Sequence, residues 1–345
     1  MTIFVIFSHY FAEIDGGLAQ AGIGFVGVDG FFVLSGLLVG RLILDKGEAA
    51  NFYQVFYVRR ICRTFPIYFL CVALALAGGA ALDLPENDSV PGWSYFAFVS
   101  NIFAALQDDV GRPWLSPTWT MAVEEQFYLV APALMLATPR HRLLGVLAGI
   151  VVAAILIRLA LHAYGANSIT SLILLPTRAD NLAIGLACAV LLKTSVRWNS
   201  TICRAAPIVL LFAIVPLKLA GGLEAVVIVG HTIVCVAVGF FLLGLIDGAP
   251  EARRFENRTL IFFGETSYAT YLTHLPVLWC AHTLILQERP SLSSAAGVAV
   301  TLACIPITVG VAFLLTRFIE APITAAGRRM RWDFSARGQR QSVTA

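Results

Sequence analysis

Trp119-Thr120-Met121-Ala122-Val123-Glu124-Glu125-Gln126-Phe127-Tyr128 places two adjacent carboxylates at the head of a run, Phe127 to Ala137, that otherwise reads as membrane helix. An ionised carboxylate inside a bilayer costs on the order of 2.5 to 3.5 kcal/mol on insertion scales, so a glutamate pair kept there marks a site by default. The rest of the chain makes the membrane reading secure: of 345 residues 58% are apolar and only 13% charged, and the mean hydropathy is +0.80. A hydrocarbon core of about 30 Å asks for about 20 mostly apolar residues per helix. Such segments run near 24–43, 65–82, 119–137, 143–164, 172–192, 225–247, 259–286 and 294–317. Two shorter ones, 1–14 and 206–220, bring the expected number of spans to ten, in an all-α polytopic membrane fold.

Lys and Arg in short loops stay on the cytoplasmic side. With both termini placed inside, nineteen of the 24 basic residues fall there, from Arg41 and Lys46 through Arg140, Arg142, Lys193, Arg197, Arg253 and Arg254 to Arg337 and Arg340. Arg112, Lys218 and Arg289 fall outside, and Arg158 and Arg178 lie within spans. A full crossing by Trp93 to Leu106 would put Arg140 and Arg142 outside and invert every later loop. That segment is therefore expected to be re-entrant or interfacial within a long outer loop, 83–118, whose Trp93, Tyr95 and Trp114, with Trp119 just after it, suit an interfacial aromatic belt.

The net charge of +3 comes from these topology signals and the basic C-terminal end, so no nucleic-acid partner is expected. Seven scattered cysteines with no Cys-x-x-Cys pair indicate neither a disulfide framework nor a metal site. No internal repeat is evident. One membrane domain over 1–332 with a frayed polar cytoplasmic tail at 333–345 is the expected organisation. The N-terminus has no signal peptide of the usual form. Met1 to Ile14 covers only about 20 Å at 1.5 Å per residue, so either the true start lies upstream or the first span is degraded.

Polar islands interrupt the apolar segments. His9, in Phe7-Ser8-His9-Tyr10, carries the side chain best suited to proton transfer near neutrality, and is read as a base or as a structural histidine. In Gly27-Val28-Asp29-Gly30-Phe31-Phe32-Val33-Leu34-Ser35-Gly36, Asp29 either caps its helix or orients a partner, while Gly36 and Gly40 form a face for close helix packing. Arg59, Arg60 and Arg63 share one helical face, and their guanidinium forks match phosphate oxygens or serve as positive-inside anchors. Glu124 and Glu125 project about 100° apart, so at most one need face a central cavity. Arg178 and Asp180 are candidates to pair with them, and the set reads either as part of a site or as a buried structural ion network. His274, in Ser267-Tyr268-Ala269-Thr270-Tyr271-Leu272-Thr273-His274, is a second base or a packing histidine, and Glu320 precedes Ala321-Pro322. His162, His231 and His282 have no polar company in the sequence and read as structural.

Taken in order, the first-span histidine, the run at 27–36, Arg60-x-x-Arg63 with Pro66, Val123 to Tyr128, Arg178-x-Asp180, Ser267 to His274 and Glu320-Ala321-Pro322 resemble the acyltransferase family 3 integral membrane O-acyltransferases over nearly the whole chain. The resemblance implies ten spans and transfer of an acyl group, most often acetyl, from acyl-CoA (acetyl-CoA) to a hydroxyl of a sugar, glycolipid or cell-envelope polysaccharide. No metal takes part. His9 would deprotonate the acceptor or carry the acyl group covalently, and Arg59, Arg60 and Arg63 would hold the coenzyme A phosphates. Glu124 or Glu125 would orient acceptor or histidine, and Tyr128 would donate to the oxyanion. Asp29, Ser35, Arg178, Asp180, His274 and Glu320 would support the site. The implied setting is the lipid bilayer of a bacterial inner membrane with both termini cytoplasmic. The family's arginine eleven residues before the histidine would here fall upstream of Met1. Two other readings stay open: a transporter or flippase with a proton relay, and an inactive relative in polysaccharide export.

Overall fold

The computed structural model describes residues 2–11, 23–84, 89–194, 200–246 and 256–335. Among them every regular element is helical. The longer helices are α1 (Thr2–Phe11), α2 (Ile23–Lys46), α3 (Phe52–Ala81), α6 (Thr118–Ala137), α7 (Leu143–Ala163), α9 (Leu175–Leu191), α10 (Ser200–Ala225), α11 (His231–Ile246), α12 (Arg258–Leu286) and α13 (Ala295–Leu315). Between them lie the short α4 (Gly92–Phe96), α5 (Ser100–Gln107) and α8 (Ser168–Ile173), and α14 (Ala321–Arg328) closes the bundle. The apolar outer faces, such as Val152, Leu156 and Leu159 of α7, are exposed, as a hydrocarbon solvent requires.

Six stretches among the described residues, not ten, are long and apolar enough to cross a membrane: Gly24–Lys46, Phe52–Ala81, Arg140–Ala163, Ile169–Leu191, Thr201–Ile246 and Ala295–Arg328. The difference has three physical sources. α1 has only ten residues. α6 and α12 carry the polar islands, including Glu124, Glu125, Glu265 and His274, which dilute their hydropathy. Thr201–Ile246 counts once yet holds two helices that pack against each other, because Gly222 takes a left-handed φ of 65° that only glycine adopts without strain, and the chain turns back there.

The loop expected at 83–118 does not cross: α4 and α5 have five and eight residues, about 12 Å at most. Ion pairs gather the basic loops at one end of the bundle. Arg140 lies 3.6 Å from Glu48 and Lys193 2.5 Å from Asp45, so the α2–α3, α6–α7 and α9–α10 connections share what is here the basic end. Arg197, Arg253, Arg254, Arg337, Arg340 and tail residues 336–345 lie outside the described residues.

The junction of domain and tail, Trp332 to Phe334, is held against the start of α3. Asp333 N–H donates to Asn51 Oδ1 at 2.8 Å, the Asp333 carbonyl accepts from Ala50 N, and Trp332 stacks on Phe52 with centroids 5.6 Å apart. Trp332 and Phe334 supply apolar surface that a polar tail would lack, and both pack against the core.

α2 and α9 form the tightest helix pair. A Cβ on Gly36 would meet the Leu182 carbonyl oxygen at 2.3 Å, and one on Gly185 the Val33 oxygen at 2.2 Å, so glycine is needed at both for the backbones to touch. α6, α7 and α11 pack against this pair, α1 packs against α2 and α12, and α12 packs on α3.

Candidate active site

A cavity of about 640 Å³ opens between α1, α2, α3, α6 and α12. Its wall holds Ser35, Arg60, Arg63, Thr64, Thr120, Glu124, Tyr128, Tyr268 and Tyr271 among apolar side chains such as Phe31, Phe32 and Leu38. Glu124 is the hub. Ser35 Oγ and the Tyr128 hydroxyl each donate to Glu124 Oε1 at 2.5 Å, and the two hydroxyl oxygens lie 3.1 Å apart. Helical spacing of four residues stacks Tyr128 beneath Glu124 on one face of α6, and the close α2 contact brings in Ser35. Arg60 lays its guanidinium over the Tyr128 ring, 4.5 Å from the centroid, with Nη1 3.4 Å from the hydroxyl.

Glu125, about 100° round the helix from Glu124, is not in the wall, and among the described residues its buried Oε1 has no hydrogen-bond partner. The three arginines separate despite sharing a helix. Arg60 and Arg63 line the cavity, while Glu320 is buried and accepts from Thr316 Oγ1 at 3.3 Å. Arg59 turns to the C-terminal segment, donating from Nη2 to the Met330 carbonyl at 2.7 Å and lying over Trp332.

His9 is also outside the wall. Its Nδ1 lies 2.7 Å from His274 Nε2, and His274 Nδ1 lies 2.6 Å from the carbonyl oxygen of Tyr271, a cavity residue. The histidine pair thus stands directly behind one part of the wall. Tyr10 donates to the His274 carbonyl at 2.9 Å, which ties α1 to α12.

Asp29, Arg178 and Asp180 occupy a separate, fully buried network. Asp29 accepts from Arg178 Nη1 at 3.0 Å, Asn181 Nδ2 at 2.8 Å and His231 Nδ1 at 2.8 Å. Asp29 therefore orients partners and does not cap its helix, and Arg178 and Asp180 do not pair with Glu124 or Glu125 as anticipated. Asp180 binds Arg158 through both oxygens, at 2.8 and 3.1 Å, and accepts from Thr232. Arg158 Nε donates to Ile228, whose carbonyl belongs to a π-turn, Val226–Gly230. Each buried charge thus has an opposite one, the condition for tolerating charge away from water.

Two titratable residues of this network, Arg158 and His231, were missed from sequence. Arg158 had a signal, being the lone charge of the apolar α7. His231 had none, because its partner lies 202 positions away. His282 bonds Thr301 and His162 lies 3.6 Å from Glu224, so these too have polar company. Among the described residues no group of three His, Cys, Asp or Glu is placed to hold a metal ion.

Known proteins bear on this arrangement. The chain is 26% identical to the peptidoglycan O-acetyltransferase OatA of Listeria monocytogenes over 336 residues, 88% of this chain and 52% of OatA. It is 25% identical to a Staphylococcus aureus relative over 90% of this chain and 55% of that protein, so it spans about half the length of both. The acyltransferase MdmB of Streptomyces mycarofaciens is 26% identical over 352 residues, 93% of this chain and 87% of MdmB. No solved structure matches. The model of an acyltransferase domain, acyltransferase family 3, matches residues 1–317, from α1 into the π-turn after α13, and the chain belongs to that family.

Proposed function

We propose that the protein is a membrane O-acyltransferase that takes an acyl group, most simply acetyl, from an acyl-coenzyme A thioester and transfers it to a hydroxyl of a cell-envelope carbohydrate or glycolipid. One observation carries the reading: a cavity with Arg60 and Arg63 in its wall that backs, through Tyr271, onto the His9–His274 pair. Two guanidinium forks suit phosphate oxygens, and an imidazole beside the wall suits a hydroxyl proton. Arg60 and Arg63 hold the donor phosphates, while Arg59 braces the C-terminal segment. Glu124 fixes Ser35 and Tyr128, and through the Tyr128 ring it fixes Arg60. His9 removes the acceptor proton as the oxygen attacks the thioester carbonyl. A peptidoglycan-modifying relative supports a carbohydrate acceptor. The setting proposed is a bacterial inner membrane with the basic end and both termini in the cytoplasm, so that donor enters from that end.

The test is thioester turnover by purified protein, wild type against His9→Ala and Arg63→Ala, across acyl-CoA donors and envelope glycans. Coenzyme A release that falls by about 10²–10⁴ in His9→Ala is the expected result for loss of a general base. Donor binding without turnover would instead mark an inactive relative, and substrate movement without thioester consumption a transporter.

A further inference from the structure

We propose that His274 is a positioning residue that selects the tautomer of His9, so that His9 Nε2 is the nitrogen that receives the acceptor's proton. This rests on the reading of His9 as the base. A backbone carbonyl only accepts, so the 2.6 Å contact of His274 Nδ1 with the Tyr271 oxygen places a proton on His274 Nδ1. Two imidazoles in contact behind the wall, His274 fully buried and His9 half-buried, stay neutral, since a charge taken from water without an opposite partner is costly. A neutral His274 protonated on Nδ1 has a bare Nε2, and that atom lies 2.7 Å from His9 Nδ1. The proton between them therefore belongs to His9 Nδ1. Neutral His9 has one N–H, so its Nε2 carries the lone pair.

Ring geometry agrees. The planes differ by 15° and the centroids stand 4.9 Å apart, while the nitrogens approach to 2.7 Å, closer than stacked faces come. The rings therefore meet end to end near one plane, where N–H and lone pair both lie. His274 is held for this: it is fully buried, its carbonyl accepts from Tyr10, and Tyr10 also contacts Thr308 Oγ1 at 2.9 Å. The chain Tyr271 carbonyl, His274, His9 has the logic of a catalytic triad in which an orienting group selects the base's tautomer.

The step balances. The acceptor O–H bond breaks as Nε2–H forms; the oxygen bonds to the acyl carbon; the C–S bond breaks; and the Nε2 proton passes to the departing sulfur. Free thiol and neutral His9 result. While His9 is protonated, its Nδ1–H···Nε2 bond to His274 is charge-assisted and stronger.

Histidine side-chain ¹⁵N spectra of the purified full chain test this directly, because only six histidines are present. The His9 signal, identified by its loss in His9→Ala, should be that of the Nδ1–H tautomer. His274→Gln, whose amide oxygen accepts near the Nε2 position, should keep that tautomer and stay within about tenfold of wild-type kcat, whereas His274→Leu should lose it with kcat down about 10²–10⁴ and donor KM unchanged. A wild-type His9 protonated on Nε2, or a His274→Leu enzyme that turns over normally, would overturn the proposal. The wild-type spectrum needs no variant of His274 to fold. If His9→Ala is fully active the base reading fails, whatever the tautomer; a reversed tautomer with inactive His9→Ala removes only the role of His274.

Discussion

The phenol of Tyr128 has one proton, and it goes to Glu124 Oε1 at 2.5 Å. A donor already committed to a carboxylate is a poor oxyanion donor, so the role first expected of Tyr128 shifts from hydroxyl to ring: it is the platform on which Arg60 lies, 4.5 Å from the centroid. A cation over an aromatic face contributes about 0.5–1 kcal/mol when exposed and about 2 when desolvated. Tyr128→Ala should therefore raise the donor KM by about two- to thirtyfold, a range set by that energy. Tyr128→Phe keeps the ring and should change kcat and KM by less than about fivefold, with steady-state kinetics as the check, because a phenylalanine face still binds the cation. A loss of about 10²–10³ in kcat for Tyr128→Phe would instead be the signature of a removed oxyanion donor and would return the hydroxyl to that role.

α2, α7, α9 and α11 are joined by charge as well as by the close packing around Gly36 and Gly185. Asp29 of α2 grips Arg178 of α9 and His231 of α11, and Asp180 of α9 grips Arg158 of α7, with all four charged side chains at most 1% exposed. Removing one partner leaves an uncompensated buried charge, which costs about 3–5 kcal/mol, whereas replacing both with apolar side chains of similar volume is often neutral or stabilising. Asp29→Leu alone should thus lower the thermal unfolding midpoint of the purified protein sharply, and Asp29→Leu combined with Arg178→Met should recover most of it. A double variant as unstable as the single would mean that the pair contributes more than charge balance, through Asn181, His231 and the Leu172 carbonyl that Arg178 Nε also holds at 2.7 Å. The glycine crossing beside it gives a companion case: Gly185→Ala presses a methyl into the Val33 carbonyl, a backbone atom that cannot turn aside, so it should reduce folded yield even though alanine is otherwise a better helix former.

At the scale of the molecule, what could be read in advance and what could not divide along a physical line. His9, Asp29, Glu124 and Arg178 were visible because each breaks an apolar run, and a broken run is a local property, whereas Ser35 entered only through the family resemblance. Who pairs with whom is not local. Arg178 meets Asp29 across 149 positions and His9 meets His274 across 265, and no period within one helix foretells such meetings. Hydropathy and length mark only six of the expected ten spans for the converse reason, since helices that carry a site lose the hydropathy that marks a span. Orientation is where the local and the global readings can be set against each other. Arg140 and Lys193 lie at the basic end, paired with Glu48 and Asp45, whereas Trp93 and Tyr164 lie beyond the far ends of α3 and α7. The positive-inside bias puts the first pair in the cytoplasm. Single cysteines at 140, 193, 93 and 164, in a background with the seven native cysteines replaced, should therefore react with a membrane-impermeant maleimide on intact cells only at 93 and 164. Labelling at 140 and 193 instead would turn the bundle over, placing Arg60 and Arg63 toward the outside, where no coenzyme A thioester is available, and the proposed donor would fall with it.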